Sequence, residues 1–329
     1  MEALYPLLKG VSRSFYLSLR ILPAELRPQM STAYLLARAG DTVADTKVVP
    51  REKRLDVLRK MREGDFWPVH GLAQNQALPA ERELLRRLDE VAVLKASFPA
   101  ADRNLIDKLL DIIITGQIFD IERFPGEDEG SLTALSEEAE LDRYTYLVAG
   151  CVGEFWTKMC GLHLSALKTW VTDETLGLGV RFGKGLQLVN VLRDVPRDLR
   201  NGRCYLPVAE PGVLLDPSRF DVIRPLYSRL LDSAVERLEA GWRYTLSIPP
   251  SLWNLRLSCT WPIWIGLETA ALLRQGNPLD PSRVIMVPQW KTNWLLARSF
   301  MLCRSDRLLD ASFQRIADRA RRSGRERGA

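Results

Sequence analysis

The chain has 329 residues, with 46 Lys and Arg against 41 Asp and Glu, two His and five Cys; at 46% hydrophobic and 26% charged it has the material for a sizeable core. Two histidines (His70 and His163) exclude a multi-histidine metal centre, and five cysteines without a CxxC exclude a zinc module or a disulfide framework, pointing to buried thiols in a reducing compartment. Of the formal charge of +5, the last fifteen residues carry +4, so a basic body built for nucleic acid is not indicated, whereas a basic tail is.

In chain order, the N-terminal stretch to Phe15 is too short in apolar run for a signal peptide. Apolar residues then recur at spacings of three and four, which predicts helices over Met30–Val43, Leu55–Met61, Ala80–Val93, Leu105–Ile121, Tyr144–Leu164, Thr175–Val195, Val222–Leu246 and Trp253–Leu273. Turn chemistry breaks the pattern at Gly126–Gly130, Pro207–Pro217 and Gly276–Pro281. The most apolar window, Cys259–Leu273, contains Pro262 and Glu268 and falls short of the ~20 apolar residues that span a bilayer. Strand signatures, internal repeats and Gly/Ser linkers are lacking. The sequence predicts one all-α domain of about ten helices, either cytosolic or attached to a membrane surface. Gly177, Gly179, Gly183 and Gly185 form neither GxGxxG nor a P-loop and read as close helix–helix contacts.

Aspartates four apart occur four times: Asp41/Asp45, Asp107/Asp111, Asp194/Asp198 and Asp306/Asp310. On a helix such a pair shares a face, about 6 Å apart along the axis, and repels itself unless a positive partner intervenes. A hard divalent cation with oxygen ligands, keeping positions for a phosphate, is one such partner. Context separates the four. Tyr34, Arg38, Asp41 and Asp45 share one face of an otherwise small and apolar helix. Gln187, Asn190 or Val191, Asp194 and Asp198 do the same further on. Amides and acids on an apolar helix are costly to bury without a ligand, so two such stripes facing each other could hold a metal–diphosphate. Asp107/Asp111 and Asp306/Asp310 lie among Arg103, Lys108, Arg304 and Arg307 and read as solvated surface acids.

These residues resemble the squalene/phytoene synthase family over about residues 10–275. The resembling segments are Ser12-Arg13-Ser14-Phe15, Tyr34-x3-Arg38-x2-Asp41-x3-Asp45, Gly116-Gln117-x2-Asp120, Tyr144-x3-Val148-Ala149-Gly150-x-Val152-Gly153, and Gln187-x2-Asn190-x2-Arg193-Asp194-x3-Asp198 followed by Arg203-x-Tyr205. The resemblance implies an all-α isoprenoid-synthase bundle with a central cavity. It places the catalytic domain at 1–285 and a helical extension with a basic tail at 286–329. It further implies that Asp41, Asp45, Asp194 and Asp198 hold Mg²⁺ and that Arg13, Arg38 and Arg193 neutralise a departing diphosphate. Tyr144 would assist diphosphate loss or proton removal, and Phe15, Ala149 and Gly153 would line the space for the isoprenoid chains. Ser12, Tyr34, Gln187, Asn190 and Tyr205 complete the implied substrate set. The implied reaction joins two farnesyl diphosphates head to head to squalene, with NADPH for the second half; dehydrosqualene, hydroxysqualene and phytoene are the alternatives, as is a non-catalytic binding relative. The implied partner is a prenyl diphosphate and no nucleic acid, in the cytoplasm, with peripheral contact at the inner membrane surface through the basic tail. Arg197 departs from the family pattern, in which an acid is common there, and could pair with Asp194 or Asp198.

Overall fold

The computed structural model describes residues 4–12, 15–282 and 285–322. Among them the chain forms fourteen α-helices joined by short 3₁₀ turns. The first seven are α1 (Tyr5–Ser12), α2 (Phe15–Ile21), α3 (Arg27–Asp45), α4 (Arg51–Arg62), α5 (Pro79–Arg86), α6 (Leu88–Ala96) and α7 (Ala100–Arg123). They are followed by α8 (Glu138–Thr145), α9 (Cys151–His163), α10 (Asp173–Arg200), α11 (Phe220–Ser247), α12 (Trp253–Gln275), α13 (Gln289–Leu302) and α14 (Asp306–Arg322). The all-α expectation holds. The only β pairing among the described residues is a two-residue parallel bridge of β1 (Thr133–Ala134) with β2 (Arg203–Cys204). No helix among them is long and apolar enough to cross a membrane.

Two of the expected helical runs are divided. Ala80–Val93 becomes α5 and α6, and Tyr144–Leu164 becomes α8 and α9 joined by one wide π-helical turn at Tyr146–Gly150. Apolar periodicity registers which face is inward, not whether the backbone ladder shifts by one residue, so neither break shows in the pattern.

The chain divides into two compact units: Met1–Arg123 with Glu154–Val171, and Phe124–Gly153 with Thr172–Ala329. In the first, α3 is the hub. Leu35, Leu36, Ala39 and Val43 are fully buried on it, and it packs against α4, α5, α6 and α7. In the second, α10, α11 and α12 form the core, and α14 packs on α11 and α12. A capping box, Thr172 with Thr175, starts α10 by satisfying two backbone donors reciprocally. Three of the four glycines near its start are contact positions. A Cβ on Gly153 would strike the Gly179 carbonyl, one on Gly183 the Ala149 carbonyl, and one on Gly185 would lie 2.8 Å from Arg237 Cβ. Gly177 has open space around it.

Pro196 sits inside α10 and cannot donate to the Leu192 carbonyl one turn earlier. The hydroxyl of Tyr227, on α11 and 2% exposed, donates to that carbonyl at 2.9 Å instead. The helix therefore continues through the proline. At its end Gly202 adopts φ +77°, and a Cβ there would approach the Gly126 carbonyl at 2.9 Å, so only glycine fits the turn into β2. All five cysteines are free and buried, as the sequence predicts.

Candidate active site

Beyond Met30, α3 is buried at every position except Tyr34, Ala37, Arg38, Asp41 and Asp45. The stripe foreseen from the spacing is thus the one open face of an otherwise enclosed helix. Phe15 stacks on Tyr34 with ring centres 5.6 Å apart, and the Tyr34 hydroxyl donates to the Val11 carbonyl at 3.5 Å. The Ser12 hydroxyl donates within α1 to the Leu8 carbonyl, and its residue is buried. Arg13 lies outside the described residues.

The charge balance around Asp41 is lopsided. Arg38 gives its Nη2 to Glu81 at 2.6 Å and approaches Asp41 only at 3.9 Å. Gln117 of α7 donates from Nε2 to Asp41 Oδ1 at 2.6 Å, a reach made possible by Gly40, where a Cβ would collide with the amide. The amide must face this way, because turning its oxygen toward a carboxylate would be repulsive. Loss of solvent pushes the Asp41 carboxyl up to about 6. Arg38 opposes that, Asp45 adds to it, the Gln117 hydrogen bond opposes it, and Asp120 adds again. Nearly half of the Asp41 side chain is still open (48% exposed), so a charged ligand can reach it.

On α10 the open face is Gln187, Asn190, Arg193, Asp194, Arg197 and Asp198. Val191 is 3% exposed, which settles the alternative in favour of Asn190, whose Nδ2 donates to Gln187 Oε1 at 3.4 Å. Arg193 grips Asp194 with two bonds of 2.8 Å, a fork-to-fork arrangement that raises the guanidinium's affinity for its proton. Arg197 adds a third bond to Asp194 at 3.0 Å and lies 3.6 Å from Asp198, as its position within the motif suggests.

Tyr144 of α8 is buried and stacks on Tyr205, ring centres 4.6 Å apart, and Tyr205 meets Phe124 edge-on at 5.0 Å. A shallow cleft of about 180 Å³ is lined by Val191, Val195, Asp198, Arg203, Cys204, Tyr205 and Leu206. Asp198 and Tyr205 therefore open onto common space, with Tyr144 behind Tyr205. Burial pushes the Cys204 thiol up to about 12, which keeps it a neutral wall rather than a nucleophile. Ala149 and Gly153 present backbone to the glycines of α10. Asp142, one turn before Tyr146, accepts from Lys184 at 2.5 Å and Arg237 at 2.9 Å. Desolvation works against its charge, but these two cations hold the carboxyl below its usual range.

The other two aspartate pairs divide. Asp107 and Asp111 are exposed partners of Lys95 and Arg62, as expected. Asp306 and Asp310 are exposed but structural, which corrects their reading as ordinary surface acids. Asp306 pairs with Arg256, which is 1% exposed and also donates to the Ile248 and Leu246 carbonyls. Asp310 accepts the Trp242 indole N–H at 2.7 Å. Sequence reasoning assigned no role to Glu81, Gln117 or Tyr227. Glu81 and Tyr227 meet their partners 43 and 35 residues away, and only Pro196 hints that a carbonyl needs a donor.

A family model described as "Squalene/phytoene synthase" matches residues 8–291. The chain is 27% identical to the Botryococcus squalene synthase of Botryococcus braunii, over 95% of this chain and 65% of that protein. It is 30% identical to the presqualene diphosphate synthase of Zymomonas mobilis, over 62% of this chain and 60% of that protein. The chain thus spans under two thirds of the length of these relatives. A solved complex of TcSQS with a ligand superposes with a TM-score of 0.74 at 19% identity, covering 98% of each chain. A dehydrosqualene synthase complex superposes at 0.60 and 19%, covering 92% of this chain and 96% of that one. At these identities the structural likeness shows the fold.

Proposed function

The chain belongs to the squalene/phytoene synthase family, and on that premise we propose that it joins two farnesyl diphosphates head to head, through presqualene diphosphate, to squalene. The observation that carries the reading is the pair of open polar stripes on α3 and α10, each bearing the DxxxD spacing on a helix otherwise packed into a core. Peripheral contact of the basic C-terminus with a cytoplasmic membrane surface accompanies this reading.

The acids suit Mg²⁺ by their chemistry. They are hard oxygen donors, and Asp41 is repelled by Asp45 and Asp120 in a way a cation relieves. Among the described residues no three metal-capable side chains converge. That matches an ion held by one or two carboxylates and completed by water and substrate phosphate oxygens. When bound, Mg²⁺ supplies charge compensation for the leaving diphosphate.

The chain's own groups do the rest. Asp41 and Asp45 on one helix, and Asp194 and Asp198 on the other, would orient the diphosphate. Arg193 and Arg197 rest on Asp194 and are poised to transfer their donors to diphosphate oxygens; Arg38 would do so from its place beside Asp41. Arg13, Ser12, Gln187 and Asn190 would complete the headgroup contacts. Aromatic faces at Phe15, Tyr34, Tyr144 and Tyr205 would shield an allylic cation from water and favour it by about 0.5–2 kcal/mol each. Tyr144 would receive or return the proton, and Ala149 and Gly153 would leave room for the chains. NADPH belongs to the squalene outcome alone, and no residue is assigned to it.

A second reading, release of presqualene diphosphate itself, is favoured by the 30% identity to a protein of that name. The test is incubation with Mg²⁺ and farnesyl or geranylgeranyl diphosphate, with and without NADPH, followed by product identification. Squalene formed only with NADPH supports the first reading. Presqualene diphosphate as the end product supports the second, a C40 product moves the substrate to C20, and no product from either sinks the enzyme reading.

A further inference from the structure

Helix α13 has an unusual outer face. Leu295 and Ser299 are buried inward, yet the outward positions are also apolar: Trp290 is 71% exposed, Trp294 49%, Met301 76% and Phe300 57%. At 100° per residue, Trp290, Trp294, Ala297 and Met301 fall within a sector of about 60°. Met286, 68% exposed, lies just before the helix. No acidic residue occurs from Ile285 to Ser305. Lys291 in this stretch is neutralised by buried Glu268, but Arg298 and Arg304 have no carboxylate partner among the described residues. The Arg298 guanidinium lies 4.9 Å from the centre of the Trp294 ring.

An exposed apolar patch of this kind needs a partner. We propose that the outer face of α13 docks on a lipid bilayer bearing anionic headgroups. Tryptophan rings, a methionine and a phenylalanine would enter the headgroup–acyl boundary, and Arg298 and Arg304 would reach the phosphates above it, as amphipathic side chains do at interfaces. The charge pattern selects this occupant over a second copy of the chain. A two-fold contact would set this acid-free face against itself, guanidinium against guanidinium. The inference rests on α13 alone, so its failure and failure of the proposed reaction are separate results.

The test is flotation of the full chain with neutral phosphatidylcholine vesicles and with vesicles about one third phosphatidylglycerol. We expect binding to the anionic vesicles, weakened by salt. It should fall roughly tenfold in a Trp290→Ser/Met301→Ser double variant and be retained in Trp290→Phe. Trp67, equally exposed at 72% on the other compact unit, is the control, and Trp67→Ser should bind as the parent does. Both altered side chains point into solvent, and an unchanged thermal melt shows that the fold survives. Absence of binding by the parent overturns the proposal. So does binding that survives the double substitution, which transfers the contact to the basic C-terminus. Sedimentation showing a dimer that the double variant abolishes, without lipid binding, also overturns it in favour of a second copy.

Discussion

On α3 the arginine that could neutralise Asp41 is drawn away to Glu81, leaving an amide as the carboxylate's nearest donor, whereas on α10 Asp194 is held by two guanidinium groups at once. The spacing is the same and the electrostatic state is opposite. The first pair is short of positive charge and attracts a cation; the second is already compensated and must release its arginines to admit one. Donors released in this way are free to meet the diphosphate that arrives with the metal. Identical motifs can thus divide the labour of binding one anion.

The sharpest way to break the comparison is to remove each acid. Asp41→Ala and Asp194→Ala should each lower product formation by at least about a thousandfold, while Asp107→Ala, on an exposed pair, stays within about twofold. Retained activity in either of the first two would end the equivalence. Asp306→Ala should act on stability instead. It strips the carboxylate from a buried guanidinium, costing about 2–3 kcal/mol in urea unfolding, with turnover per folded molecule intact. Tyr227→Phe leaves the Leu192 carbonyl without its donor. We expect about 1–2 kcal/mol lost, and a several-fold rise in the Mg²⁺ needed for half-maximal rate if the helix between Asp194 and Asp198 shifts.

Two smaller effects sharpen the contrast. The Asp41 carboxyl titrates near 6 rather than the ordinary 3.8, so ionising it costs the metal-free fold. Its contribution is most favourable below about 3.8 and is lost as the pH climbs through 6. Asp41→Asn should therefore stabilise the protein in chelator by a margin that grows across that window and levels above it. With half the side chain in solvent, that margin is about 1 kcal/mol, read from melts at a series of pH values. Arg197→Ala, at a side chain 66% exposed, should leave stability within about 0.5 kcal/mol and lower the half-maximal Mg²⁺ a few-fold.

Much of this was legible before the fold. The polar stripes of α3 and α10 stand out because amides and acids interrupt runs of buried aliphatics, and the structure opens those same positions to solvent. Their charge state was not legible. Glu81 reads as one more acid on a short amphipathic helix, and nothing local says that it claims Arg38. Asp306 sits among arginines like any surface acid, because its partner Arg256 is fifty residues away. Helices α13 and α14 carry no run that the periodicity picked out; α13 is apolar on both sides, which blurs the pattern that marks an inward face.

The π-helical turn at Tyr146–Gly150 has a consequence for protein engineering. A π turn holds one residue more than the α-helix around it. Deleting a single residue there would regularise the backbone and rotate everything beyond it by about 100°. Gly153 would leave Gly179, and a bulkier neighbour would be driven into the α10 backbone. Libraries that vary side chains in this segment keep the register of the crossing, and those that vary its length do not.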